Sequence, residues 1–104
     1  MQVVHVLAVI TAKPGMREKI LEIFRANVPA VHAEDGCIAY TATIDHRDAG
    51  GQQKKFGDDT FVVVEQWQSL DALKAHAAAP HMAAYAAKTK DMIASRIIHV
   101  LSPT

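Results

Sequence analysis

The sequence predicts an α+β fold of the split βαβ kind, in which a four-stranded antiparallel sheet carries its helices on one face. Three observations carry this reading. Hydrophobic periodicity gives the order strand, helix, two strands, helix pair, strand. The 104 residues are half apolar and contain no linker, so residues 1–104 are read as a single domain around one core. The strands are apolar on both sides, so the face away from the helices also needs a cover; a second copy would supply it, giving a symmetric homodimer.

Residues 3–11, VVHVLAVIT, form the first strand, β-branched on both faces and interrupted only by His5. Pro14-Gly15 turns the chain. From Met16, the apolar residues Ile20, Ile23, Phe24, Val28 and Val31 follow the spacing of one helical face. Pro29 lies inside that pattern and predicts a kink or restart near Asn27 before Gly36 ends the element. Residues 37–46, CIAYTATIDH, read as the second strand, with Ile38, Tyr40, Ala42 and Ile44 on a bulky face and Cys37, Ala39, Thr41 and Thr43 on a small one. The polar, glycine-rich run from Arg47 to Asp59 is too long for a tight hairpin and reads as a mobile surface loop, long enough to cover a pocket.

The stretch Phe61–His81, FVVVEQWQSLDALKAHAAAPH, runs from strand into helix and carries most of the reactive groups. A period of two places Phe61, Val63, Glu65 and Trp67 on one strand face. Ser69 has the features of an N-cap, Asp71 suits the positive end of the first turn, and Leu70, Leu73 and Ala77 mark an apolar stripe with His76 beside it. Pro80 permits a new helical turn, and Met82, Tyr85, Ala86 and Met92 or Ile93 continue an apolar face. Residues 96–102, RIIHVLS, close the sheet as the fourth strand.

Eleven acidic and eleven basic residues balance, and the bases are scattered along the chain, which argues against nucleic acid and against a charged membrane surface as partners. Cys37 is the only cysteine; no internal disulfide is possible, and a reducing, cytoplasmic compartment is expected. The apolar opening run contains His5, lacks a basic leader and ends in the Lys13-Pro14-Gly15 turn, so neither a signal peptide nor an integral membrane segment is predicted.

Four segments in order, TAKPG (Thr11–Gly15), EDGCIAY (Glu34–Tyr40), EQW (Glu65–Trp67) and AHAAAPHMAAY (Ala75–Tyr85), resemble the antibiotic-biosynthesis monooxygenase family over essentially the whole chain. Within it, the likeness is to bacterial quinol monooxygenases, which are similar in length and in a long insertion before the third strand. The resemblance implies a ferredoxin-like fold pairing as a dimeric α+β barrel. It also implies oxidation of a quinol or similar electron-rich aromatic by dioxygen without metal, haem or flavin. Haem-degrading members use a tryptophan, a ligating histidine and a first-strand asparagine. This chain carries His76 and Ala86 near the first two places and no asparagine between Val3 and Thr11, so haem degradation is not expected.

Cofactor-free dioxygen chemistry requires the substrate itself to become electron-rich, which deprotonating a quinol achieves. The protein must supply a dry pocket, a base and donors for the oxyanion. His76 and His81 are the candidate bases, since an unperturbed imidazole titrates near pH ~6.5; the alternative for each is capping or helix packing. Five residues along an unbroken helix would leave them about 140° apart, and Pro80 is expected to break the helix between them, so they do not form an i, i+4 metal pair. Tyr40 is the third catalytic candidate, able to orient a substrate oxygen, or else a buried hydroxyl bonded to backbone. Trp67, Phe61, His5 and Met82 are the candidate substrate contacts, although a tryptophan at a strand end is more often plain core. His5 and His99, on neighbouring strands, are read as facing one cavity or as core histidines. Glu65, a carboxylate on an apolar face, must find partners or shift its pKa; it reads as a structural ion pair, within the chain or across the dimer, or as a functional acid, and the structural pair is favoured. Cys37 shows no activating neighbour. Asp45, His46 and Asp48 cluster at a loop entrance as solvated charge, and no metal or cofactor ligands are assigned. Two further readings keep the fold: an isomerase or decarboxylase of a small oxygenated molecule, and a non-enzymatic ligand-binding module.

Overall fold

A computed structural model describes residues 2–104. Its elements are β1 (Val4–Ala12), α1 (Arg17–His32), β2 (Cys37–Thr43), β3 (Thr60–Trp67), α2 (Leu70–Ala77), α3 (Pro80–Thr89), a 3-10 turn (Lys90–Met92) and β4 (Ile93–Leu101). The four strands form one antiparallel sheet in the order β2-β3-β1-β4. This is the ferredoxin-like α+β arrangement that the element order predicts.

Strand alternation divides the sheet into two apolar faces. Toward the helices point Val4, Val6, Ala8 and Ile10 of β1 and Phe61, Val63, Glu65 and Trp67 of β3, all buried. Ile20, Leu21, Phe24 and Val31 of α1 pack onto them. On the opposite face lie Leu7 and Val9 of β1, Val62 and Val64 of β3, and Ile97 and Leu101 of β4. Val64, Ile97 and Leu101 are 41, 53 and 45 % exposed there.

Four local expectations are corrected. Helix α1 runs through Pro29 without a restart. Pro29 and Arg25 are both exposed, so the carbonyl that loses its donor faces water. Strand β2 ends at Thr43 instead of His46, because its register with β3 stops at the Thr43–Val62 pair. Beyond it the Asp45 carboxylate accepts from the backbone N–H groups of Phe56 (3.0 Å) and Gly57 (2.8 Å). Those two bonds hold the Asp45 carboxyl below the usual carboxylate range and tie the ends of the 44–59 connection together. Within β2 the register shifts between Cys37 and Ala39. This bulge sends Ile38 to the exposed side and turns Cys37 toward the helices with Tyr40 and Ala42. Strand β4 begins at Ile93, three residues before the predicted start, because the short 3-10 turn returns the chain directly to the edge of β1.

Helix α2 is capped as expected, the Ser69 hydroxyl accepting from the Ala72 N–H at 3.1 Å. Its buried side differs from the predicted stripe. Leu70 and Ala77 are exposed, and Ala72, Leu73 and His76 face inward. Among the described residues no helix is long and apolar enough to cross a membrane.

Candidate active site

Helices α2 and α3 stand on the same side of the sheet as α1. Between them, α1 and the strands is a cavity of about 700 Å³, within the range of small-molecule sites. Its floor is Val6, Ala8 and Ile10 of β1 with Val63 and Glu65 of β3; its roof includes Leu73 and His76 of α2 and Met82 and Tyr85 of α3. Arg96 and Ile98 on β4 line it too and are exposed, so the cavity opens past that edge strand.

His76 sits in the last turn of α2, 5 % exposed. Its ring lies 4.6 Å from the Trp67 ring and 5.4 Å from that of Tyr40, whose phenol ring stacks on Phe24 at 5.1 Å. Its Nδ1 is 2.9 Å from Glu34 Oε2. The same oxygen is 2.7 Å from His81 Nε2. An ionised carboxylate only accepts, so both imidazoles donate N–H to it. Every fully buried side-chain nitrogen and oxygen among the described residues has a partner. Among those residues His76 Nε2 has none, so it meets open space, and His76 lines the cavity. A neutral imidazole with its proton on Nδ1 therefore presents a basic lone pair on Nε2.

Local backbone geometry fixes this pairing. Glu34 lies in the turn between α1 and β2, which Gly36 closes with φ +85°. A Cβ on Gly36 would lie 2.6 Å from Ala72 Cβ, so only glycine lets the turn approach α2 this closely. The Gly36 carbonyl accepts from the Gln68 N–H at 2.8 Å, anchoring Glu34 beneath the helix that carries His76. The break before Pro80 starts α3 in a new direction and brings His81 to the other side of the same carboxylate.

Burial dominates the electrostatics. It pushes the Tyr40 phenol far above its ordinary range, reinforced by the negative charges of Glu65 and Glu34, and raises Tyr85 to about 12 against the opposing pull of Arg96. Both therefore stay protonated hydrogen-bond donors at working pH. Burial also raises Glu65, partly offset by the Trp67 indole N–H, which donates to its Oε1 at 2.9 Å. Among the described residues Glu65 forms no ion pair within the chain; the indole N–H is its partner. The Cys37 thiol is pushed up by burial and by Glu34 and Glu65, consistent with an unactivated sulfur.

The sequence matches the antibiotic biosynthesis monooxygenase family over residues 3–88. The chain belongs to this family. It is 36 % identical over 100 residues to the "Probable quinol monooxygenase YgiN" of Escherichia coli K12, covering 94 % of this chain and 95 % of that protein. Among solved structures it is similar to PA3566 from Pseudomonas aeruginosa, with 26 % identity and TM-score 0.81, over 100 % of this chain and 96 % of that one. It is also similar to Rv0793 from Mycobacterium tuberculosis, with 25 % identity and TM-score 0.79, over 98 and 95 %. These likenesses support a monooxygenase at the general level.

Of the residues singled out from the sequence, this family member brings Tyr40, His76 and Met82 to the cavity. Trp67 and Phe61 are fully buried behind it, at 0 % exposure, and act as its backing. His81 reaches Glu34 but lines a second groove of about 440 Å³ between α1 and α3, with Asn27 and Lys88. His5 points to the other face of the sheet, exposed, because its neighbours Val4 and Val6 take the inward positions. His99 shares that outer face, opposite Leu7. The 47–59 loop does not line the cavity. Sequence reasoning missed Glu34, Tyr85 and Arg96 as site groups. Arg96 carries a local signal, a cation at an inward register position opposite Ile10, whereas Glu34 meets the histidines only across 42 and 47 residues of chain.

Proposed function

We propose that the protein is a cofactor-independent monooxygenase that oxidises a quinol or similar electron-rich aromatic with dioxygen in the cavity between sheet and helices. The observation that carries this reading is the Glu34–His76 pair, which leaves His76 Nε2 open in a cavity otherwise dominated by apolar side chains. His76 Nε2 accepts the quinol O–H proton, and Glu34 stabilises the imidazolium that forms. The protonated hydroxyls of Tyr40 and Tyr85 and the Arg96 guanidinium supply donors and charge for the quinolate oxygen. Electron-rich quinolate then reduces dioxygen by one electron, the two radicals join in a carbon–oxygen bond, and the His76 imidazolium returns its proton to the peroxide oxygen, which regenerates the base. The hydroperoxide loses water, so one quinol and one dioxygen become one hydroxyquinone and one water. Met82, Leu73 and Ile10 exclude solvent from this sequence.

The protein acts in this reading as a homodimer through the outer sheet face, supported by the exposed Val64, Ile97 and Leu101. The experiment that tests the function is oxygen uptake by chelator-treated protein given a reduced naphthoquinol, with autoxidation subtracted. Catalysed uptake with hydroxyquinone as product is expected; uptake no faster than in buffer would overturn the reading.

A further inference from the structure

We propose that Glu34, His76 and His81 form a binding site for a divalent cation of the zinc class, and that occupying it withdraws the base by reversing the tautomer of His76. The second half rests on the reading of His76 as the base; the first does not. One carboxylate oxygen and two imidazole nitrogens from three separate segments lie within 4.8 Å of one another, the one such set among the described residues. Two histidines and a carboxylate are a zinc donor set that leaves a position for water, whereas calcium and magnesium require more oxygens than this cluster offers.

The geometry is close to that needed. Bonds of about 2.0–2.1 Å in a tetrahedron separate neighbouring donors by roughly 3.3 Å. The nitrogen–oxygen distances, 2.9 and 2.7 Å, lengthen and the nitrogen–nitrogen separation, which is within 4.8 Å, closes to the same edge, both by side-chain rotation. The side chains of His76, Glu34 and His81 are 7, 13 and 28 % exposed, shielded from bulk water yet reachable from the groove that His81 lines. The backbone that carries them is held by the Gly36–Gln68 hydrogen bond and the Ser69 cap.

Proton accounting gives the regulatory consequence. Without metal, each neutral ring keeps its proton on the nitrogen facing Glu34. A cation bound to those nitrogens displaces each proton to the other nitrogen of the same ring. No proton is lost, but His76 Nε2 becomes an N–H. The lone pair directed into the cavity disappears, and zinc-class ions become inhibitors of a reaction that needs no metal.

The test is calorimetric titration of the chelator-treated chain with zinc chloride, with cobalt(II) absorption as a second probe. Nitrogen NMR of the histidine rings follows the tautomer. Expected are one ion per chain at micromolar or tighter affinity and a His76 proton that moves from Nδ1 to Nε2. Glu34→Gln and His81→Ala should each weaken binding by about tenfold or more, with unchanged circular dichroism. Absence of saturable binding up to millimolar zinc, or binding that neither substitution alters, overturns the site. Binding without movement of the His76 proton overturns the switch. No readout uses quinol or dioxygen, so failure here and failure of the monooxygenase reading are separate results.

Discussion

Glu34→Gln is the substitution that most directly isolates the proposed chemistry. The glutamine carbonyl has the shape of the carboxylate and can still accept from His76 Nδ1 and His81 Nε2, now 2.9 and 2.7 Å from one oxygen. What is lost is charge. A hydrogen bond to a charged group contributes about 1.5–3 kcal/mol and a neutral one about 0.5–1.5 kcal/mol. The imidazolium formed when His76 takes the quinol proton therefore loses roughly 1–2 kcal/mol of stabilisation. At about 1.4 kcal/mol per tenfold, kcat should fall roughly 5- to 30-fold. The neutral ground state still has its acceptor and the cavity wall is unchanged, so KM should stay within about twofold. Steady-state oxygen uptake with reduced naphthoquinol over a range of concentrations measures both constants, and chemical denaturation checks the fold. A kcat equal to that of the parent protein would refute the pairing of Glu34 with the base. A rise in KM alone would make Glu34 a binding group instead.

Other perturbations probe separate parts of the structure. His76→Ala should lower kcat by about 10²–10⁴, the usual contribution of a general base, with a smaller effect on KM; unchanged turnover in single-substrate kinetics would remove His76 from the site. Gly36→Ala forces a side chain into φ +85° and to within 2.6 Å of Ala72 Cβ, so urea denaturation should show a loss of about 1–3 kcal/mol; equal midpoints would mean that the turn yields easily. Ile97→Glu places a charge on the outer sheet face, where Ile97 is 53 % exposed, and should convert a dimer to monomers in sedimentation; a monomeric parent protein would refute the proposed interface. Glu65 has a folded-state pKa raised by burial, so its folded form holds the proton more tightly than the unfolded chain. Its unfavourable contribution is absent below the unfolded glutamate value and grows as pH rises through the raised folded value. Glu65→Gln, which keeps an acceptor for the Trp67 indole, should therefore gain stability relative to the parent protein as pH rises from 4 to 8, approximate limits that bracket ordinary glutamate titration; parallel pH curves would refute the assignment.

The parts of the fold legible in the sequence are those that a local period determines. Phe61, Val63, Glu65 and Trp67 share a face because a strand repeats every two residues, and burial of all four follows from the helix packing above them. The departures arise where a neighbour overrides the local rule. The bulge at Ile38 is set by the register with β3, and α1 tolerates Pro29 because the orphaned carbonyl can reach water. Tyr40, His76 and Met82 were recognisable as site candidates from residue type and the resemblance. The inward side of α2 was displaced from the expected stripe because Leu70, although apolar, sits at the open start of the helix.

The relation of His76 to His81 shows why the centre of the site was not legible. Five residues on a continuous helix would point the two rings about 140° apart, and the break that Pro80 predicts removes that angle without supplying another. The chain leaves α2 after Ala77 and re-enters helix at Pro80, so the angle is set by two short helices. Their common target, Glu34, comes from a turn over 40 residues earlier, brought within reach by the close approach of Gly36 to Ala72. Spacing along one element cannot reveal a convergence that a third element creates. The useful local signals are instead the breakers themselves: a proline between two histidines and a glycine just after a carboxylate mark where helical geometry stops governing side-chain direction, and where polar groups distant in sequence can meet.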